Sequence, residues 1–140
     1  MLEGVREMNL NALGKEIHEN AVAHGWWEGE RDFAEIVALC HSELSEALEE
    51  DRAGRPMVWY GCHALKQTDL MCEPEGPNCQ NNWRECELRI KKPEGIAVEM
   101  ADCLIRILDW FGKERLDVEQ IVLDKHEYNK NRPYKHGKRF

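Results

Sequence analysis

The sequence has no long apolar run and no repeats. Across its 140 residues, no uninterrupted apolar stretch approaches the roughly 18 residues of a membrane span. The opening residues, MLEGVREMNL, lack the apolar core of a secretory signal. Internal repeats and low-complexity segments are also absent. These absences favour a cytoplasmic protein with no membrane partner, folded as a single domain over residues 1–140.

Positive charge is scarce over most of the chain. Lys and Arg number 19 against 27 Asp and Glu, which gives a net charge of −8. Residues 125–140 nevertheless carry a charge of +5, and the final 130–140 form a basic tail. A globally acidic chain is a poor candidate for nucleic-acid binding, so we expect no nucleic-acid partner. Local acidic clusters could hold cations, and the tail could hold an anion.

Disulfides are not favoured by the six cysteines, because no secretory signal precedes them. Cys40 and Cys103 lie on apolar helix faces and are interpreted as small core residues. The others lack the Cys-x-x-Cys spacing typical of zinc sites. Zinc, a disulfide or redox role, and plain thiols therefore all stay open for the remaining group, Cys62, His63, Cys72, Cys79 and Cys86.

Four stretches show the three-and-four spacing of apolar residues that predicts helices. They cover about residues 9–23, 32–54, 94–111 and 117–132. Asp32 and Asp117 each precede a Glu or Gln by three residues, as in a helix-capping box. The third stretch is apolar over most of its circumference, which predicts a central, buried helix. The predicted fold is all-α, a four-helix bundle.

Helical periodicity vanishes over residues 55–93. This segment holds four of the five prolines and four of the six cysteines. No stretch of it shows strand alternation. Nearly 40 residues is long for a loop inside a compact domain. We interpret the segment as an irregular insertion between helices two and three.

Two pairs of carboxylates carry the chemistry. Glu43 falls inside the apolar stripe of helix two and Glu46 at its border, although glutamates are rarely buried without a partner. Helix three presents Glu99 and Asp102 in a narrow polar seam. Residues at i and i+3 share a helix face, with Cβ atoms about 5–6 Å apart. Two helices therefore each offer a paired-carboxylate face.

Convergent carboxylates would have to separate, take up protons or bind cations. A like-charge pair about 4 Å apart costs about 4 kcal/mol at an effective dielectric near 20. Oxygen ligands favour Mg²⁺, with Mn²⁺ as a second candidate. Solvated helix faces are the plain alternative. A di-iron carboxylate bundle normally uses Glu-x-x-His, and no glutamate here has histidine three residues on.

The motifs Glu43-Leu-Ser-Glu46 and Glu99-Met-Ala-Asp102 resemble the ExxE…ExxD signature of the MazG-like nucleoside triphosphate pyrophosphohydrolases. The closing KHEYNKNRPYKHGKRF and the GWWE run are also similar to that family. The resemblance covers about residues 9–52 and 94–140. It implies an all-α fold and hydrolysis of a nucleoside triphosphate to the monophosphate and pyrophosphate. The segment over 55–93 departs from the family pattern.

The resemblance also assigns roles. It implies that Glu43, Glu46, Glu99 and Asp102 bind Mg²⁺, with Glu46 orienting or deprotonating the attacking water. On helix four, Lys125 and Asn129 match phosphate-contacting positions, and Arg132 could add a contact. Trp27 offers a flat face on which a base could stack, where stacking contributes about 1–3 kcal/mol. His18 is a further pocket candidate.

Two expectations concern partners. A nearly all-apolar third helix is hard to bury within four helices, so we expect a homodimer or homotetramer, as the family also implies. A competing hypothesis makes the chain a non-catalytic helical interaction module with a zinc-binding Cys segment. The four carboxylates favour the nucleoside triphosphate substrate, because a docking module does not need all of them.

Overall fold

The computed structural model describes residues 9–62 and 89–134 of the chain. This part is mostly helical, with four α-helices and one two-stranded sheet. The predicted helical class is confirmed. In chain order the elements are α1 (Leu10–Ala23), α2 (Phe33–Arg52), β1 (Trp59–Cys62), β2 (Arg89–Glu94), α3 (Ile96–Glu114) and α4 (Val118–Lys130).

Two helices begin where the capping pattern predicted. The Glu35 backbone N–H donates to the Asp32 carboxylate at 2.7 Å, and that of Gln120 donates to Asp117 at 3.0 Å. Each bond satisfies one of the donors that the first turn of a helix leaves unpaired. Sequence chemistry alone therefore fixes the starts of α2 and α4.

The start of α3 differs from the prediction. Glu94 was expected to open the helix, but it is the last residue of β2. Gly95 then turns the chain with a φ of +115°, and the helix begins at Ile96. A Cβ at position 95 would lie 2.6 Å from the carbonyl oxygen of Met57. Only glycine fits this junction without strain.

The expectation of no strand within residues 55–93 is wrong at both ends. β1 and β2 pair in antiparallel register, with Trp59 opposite Glu94 and Tyr60 opposite Pro93. A two-stranded sheet has only edge strands, which tolerate proline. The intervening candidates for zinc, disulfide or thiol chemistry lie outside the described residues: His63, Cys72, Cys79 and Cys86.

The described residues divide into two compact units. The first comprises 9–36 and 105–134, and the second comprises 37–62 and 89–104. In the first unit, α4 caps α1, because the Leu10 N–H donates to the Glu119 carboxylate at 2.7 Å. Leu108 and Val118 are buried there.

In the first unit, α1 also packs closely against the C-terminal part of α3. A Cβ at Gly112 would lie 2.4 Å from the Gly14 carbonyl oxygen and 2.8 Å from the His18 Cβ. No side chain fits at Gly112 without moving one of these groups. Two glycines therefore set this backbone contact.

In the second unit, β1 packs on the C-terminal end of α2. Trp59 is buried, and its indole N–H donates to the Glu50 carboxylate at 2.7 Å. The Arg55 guanidinium lies 4.8 Å from the centre of the Trp59 ring and pairs with the same Glu50. Ala47 and Cys103 are also buried in this unit.

The prediction that helix three is buried is wrong for the single chain. Met100 and Leu104, one turn apart on α3, are 52% and 51% exposed. Leu44 and Leu48 on α2 are likewise 42% and 48% exposed. No helix in the described part of the chain is long and apolar enough to cross a membrane.

Candidate metal site and ligand cavity

Three glutamates form an acidic cluster in the second unit. Glu43 and Glu46 come from α2 and Glu99 from α3, and one carboxylate oxygen of each lies within 4.8 Å of the others. Glu43 is 6% exposed and Glu99 is 7% exposed, whereas Glu46 faces solvent. The helical spacing of the two motifs thus brings together three of the four predicted ligands.

Mutual repulsion and burial act on this cluster. Burial, followed by the negative charges of Glu46, Asp102 and Glu43, raises the pKa of Glu99 to about 7. A carboxyl with such a pKa is partly protonated near neutral pH. The cluster therefore holds its charge at a cost in free energy, and a cation would relieve that cost.

The size of the acidic cluster fits a small dication. Oxygens on opposite sides of an octahedral Mg²⁺ are about 4.2 Å apart, twice the Mg–O distance. Oxygens at adjacent corners are only about 3 Å apart, so oxygens separated by up to 4.8 Å must close by up to about 2 Å to share one ion, a shift that glutamate side chains can make by rotation. Glu43, Glu46 and Glu99 are therefore able to hold Mg²⁺ or Mn²⁺.

Asp102 stands apart from the three clustered carboxylates. It is half-buried one turn after Glu99, and its charge reaches Glu99. Its carboxylate is nevertheless not among the oxygens within 4.8 Å. An aspartate is one methylene shorter than a glutamate, so it reaches less far from the same helix face. Three of the four predicted ligands therefore lie together, and Asp102 adds a fourth negative charge nearby.

The end of β2 adds two charged residues near the acidic cluster that no sequence motif predicted. Lys92 Nζ lies 2.8 Å from a Glu94 carboxylate oxygen. The hydrogen bond to Glu94 raises the pKa of Lys92, and the negative charges of Glu99 and Asp102 add to the effect. The predicted insertion therefore brings a lysine into the electrostatic field of the acidic cluster.

The first unit contains a cavity of about 770 Å³. His18 and Trp27, both predicted as substrate-binding residues, line it together with Arg31 and Lys113. Their rings meet edge to face with centroids 5.3 Å apart. The volume falls within the roughly 300–1,000 Å³ of small-molecule sites. We call this space the ligand cavity.

Trp27 is surrounded by polar groups. The Arg31 guanidinium lies 5.5 Å and the Lys113 ammonium 5.3 Å from the ring centroid, within cation–π range. The indole N–H donates to Asp109 at 3.0 Å. No sequence motif predicted a role for Arg31, Lys113 or Asp109. The only sequence signal for Asp109 is its position seven residues after Asp102, on the polar seam of α3.

The predicted phosphate contacts lie in the first unit, with Lys125 and Asn129 on the exposed face of α4 and Arg132 just after its end. Lys125 Nζ is 4.9 Å and Arg132 Cζ 5.8 Å from the centroid of the Tyr128 ring. Asn129 is exposed beside them. A role for these three side chains in phosphate binding stays a prediction.

No family model, curated protein or solved structure matches this chain.

Proposed function

We propose that the protein is a Mg²⁺-dependent nucleoside triphosphate pyrophosphohydrolase of the MazG-like type. The observation that carries the proposal is the acidic cluster, in which Glu43 and Glu99 are almost fully buried beside each other and beside Glu46. Buried carboxylates are rarely kept together without a compensating cation. The ExxE…ExxD motifs that resemble this family supply all three residues.

In this proposal the chain divides the work among its carboxylates. Glu43 from α2 and Glu99 from α3 are the buried members of the acidic cluster, and they hold the cation. Glu46 faces solvent and accepts a proton from the attacking water or orients it. A bound Mg²⁺ would neutralise phosphate charge and lower the pKa of coordinated water. Asp102 contributes charge from one turn away.

The ligand cavity supports recognition of the base rather than of the phosphates. Three acidic and two cationic side chains line the cavity. One of the cations, the Arg31 guanidinium, is already paired with Glu35 at 2.9 Å. A nearly balanced charge does not attract a triphosphate strongly. The face of Trp27 suits a flat heteroaromatic ring, and stacking of this kind contributes about 1–3 kcal/mol.

Assembly as a homodimer or homotetramer, with the helices in a MazG-like bundle, belongs to the same proposal. Exposed apolar side chains on α2 and α3 support it. A non-catalytic interaction module is the competing function. Its zinc-binding Cys segment lies outside the described residues.

The test is product analysis. A panel of ribonucleoside and deoxyribonucleoside triphosphates is incubated with the protein and Mg²⁺, and the products are separated by chromatography. The proposal expects a monophosphate and pyrophosphate. A diphosphate with orthophosphate would contradict cleavage between the α- and β-phosphates, and no product from any substrate would favour the interaction module.

A matched pair of variants ties activity to the acidic cluster. Glu43→Gln keeps the side-chain shape but removes a ligand charge worth several kcal/mol in the transition state, so turnover should fall at least about a hundredfold. Glu49→Gln, on the same helix but paired with Arg52 in solvent, should keep wild-type turnover. Equal turnover in both variants would exclude Glu43 as a ligand.

Thermal melts measure metal binding without turnover. Mg²⁺ at 100 times its dissociation constant should stabilise the wild type by about 2.7 kcal/mol. This corresponds to about 5–10 °C in Tm for a domain of this size. Glu43→Gln should be no less stable than wild type without metal, because repulsion falls, and should gain much less from Mg²⁺. An unchanged Mg²⁺ response would mean that Glu43 is not a ligand of the metal.

A further inference from the structure

One carboxylate holds both aromatic side chains of the ligand cavity. Asp109, on α3, accepts from the Trp27 indole N–H through its two oxygens at 3.0 and 3.1 Å. The same Oδ1 lies 2.7 Å from His18 Nδ1. The Asp109 side chain is 15% exposed and that of His18 is 22% exposed. Asp109 therefore stands behind the two rings that line the cavity.

This arrangement determines the tautomer of the neutral His18 imidazole. An ionised carboxylate only accepts hydrogen bonds, so the hydrogen must be on His18 Nδ1. In the neutral imidazole the other nitrogen, Nε2, then carries a lone pair and acts as an acceptor. Carboxylates hold the orientation and tautomer of histidines in this way in metal sites and catalytic triads.

We propose that Asp109 is a positioning residue for base recognition in the ligand cavity. It fixes the plane of Trp27 and holds His18 in the Nδ1–H tautomer, so that Nε2 meets the ligand as a hydrogen-bond acceptor. The ligand class selected is a flat heteroaromatic base with an N–H donor on its edge. This inference rests on the proposed function for the identity of the ligand but not for the tautomer.

A purely structural role for Asp109 makes different predictions. If Asp109 only ties α3 to α1 and to the segment carrying Trp27, its loss lowers stability without a specific effect on ligand affinity. If it positions the rings, its loss changes the tautomer of His18 and weakens ligand binding in the folded protein. The tautomer and the separation of KM from kcat therefore distinguish the two roles.

The first measurement is the nitrogen-15 spectrum of the histidine side chains in the folded wild-type protein at mildly alkaline pH. His18→Gln identifies the His18 signals by their loss. The expected result is an Nδ1–H imidazole at His18. In Asp109→Asn, an NH₂ group that cannot accept a hydrogen bond replaces one of the two carboxylate oxygens. The Nδ1–H form of His18 should then no longer be the sole species. An Nε2–H tautomer in the wild type overturns the inference, whatever the enzyme hydrolyses, and apart from His18→Gln for the assignment this arm needs no folded variant.

The second measurement is steady-state kinetics with the triphosphate that the wild type hydrolyses fastest. Asp109→Asn should raise KM about three- to tenfold, the worth of one hydrogen bond, with much less effect on kcat. Asp124→Asn is the matched control, because its carboxylate accepts from Gln120 on the exposed face of α4. Equal KM values in Asp109→Asn and wild type overturn the positioning role. Absence of all hydrolysis, with the expected tautomer, contradicts the proposed function and leaves the tautomer supported.

Discussion

Two glutamates that are nearly closed off from water dominate the electrostatics of the second unit. Glu43 and Glu99 come from different helices, and each lies in the field of the other. Burial disfavours the charged form of Glu99, and the nearby negative charges, that of Glu43 among them, act in the same direction. Lys92 lies in the field of Glu99 and Asp102, which helps to raise its pKa, and its ammonium pairs with Glu94.

The raised pKa of Glu99 predicts how stability depends on pH in the absence of metal. The pKa is about 7 in the folded protein against 4.5 when unperturbed. Between these values the folded state keeps a proton that the unfolded state has released. The free energy of unfolding should therefore decrease as pH rises through this window, by at most about 1.4 kcal/mol per pH unit.

Urea denaturation at several pH values, with a chelator present, measures this slope. Glu99→Gln cannot titrate and should lose most of it. The lowered pKa of Asp117 acts below 3.8 and the raised pKa of Lys92 acts above 10.5, so neither contributes within the window. A slope in Glu99→Gln as steep as in the wild type would assign the effect to another group.

The positions of some site residues could be predicted from the sequence, and those of others could not. The placement of Glu43 in an apolar stripe was predictable, because the helical period alone fixes the face on which a residue lies. Asp109 was not, because its partners Trp27 and His18 are 82 and 91 positions away in the chain. No local pattern encodes a contact of that separation.

Among the elements, the sequence predicts the helices better than it predicts the sheet. α2 and α4 begin at capping residues that form local bonds, so the sequence predicts their starts. β1 has four residues, too few to show an alternating pattern, and it depends on pairing with β2 across residues 63–88. The sheet, and with it the shortened start of α3, follows from pairing between distant segments.

The glycine contact between α1 and α3 predicts an effect that contradicts helix propensity. Alanine is the better helix former by about 1 kcal/mol, so Gly112→Ala would stabilise an isolated helix. In the protein the new Cβ meets the Gly14 backbone at 2.4 Å. Overpacking of this kind costs about 1–3 kcal/mol, so Gly112→Ala should lower the free energy of unfolding on balance.

Chemical denaturation of Gly112→Ala beside Gly14→Ala tests this contact. A Cβ at Gly14 would lie 3.2 Å from the Leu108 carbonyl oxygen, a milder conflict, so the loss should be smaller. Gly112→Ala should also disturb His18, whose Cβ is 2.8 Å from the added atom. Stability of Gly112→Ala equal to or above that of the wild type would refute the close packing.

At the scale of the whole molecule, exposed apolar surface predicts self-association. Met100 and Leu104 on α3 are each about half exposed, as are Leu44 and Leu48 on α2. Completing the burial of one such side chain contributes about 1 kcal/mol, half of the value for full burial. Several of these side chains together favour a homo-oligomer.

Light scattering after size-exclusion chromatography should show a dimer or tetramer for the wild type. Leu104→Glu should shift it toward the monomer, because a charge cannot be buried in an apolar interface without a partner. Ala12→Glu adds the same charge at an exposed position in the first turn of α1, where acids are favourable, and should leave the assembly unchanged. A monomeric wild type would exclude self-association as the cover for these side chains.

The turn at Gly95 predicts how substitutions at this position affect the activity and the abundance of the protein. Its backbone has a φ of +115°, and the Met57 carbonyl that a side chain would strike also accepts from the Ala97 N–H at 3.0 Å. In a survey of all single substitutions scored by activity, position 95 should rank beside Glu43 and Glu99, although glycine offers no ligand. The two kinds of intolerance separate only when abundance is scored as well. Changes at Gly95 should reduce the amount of folded protein, whereas Glu43→Gln should reduce the turnover of each folded molecule.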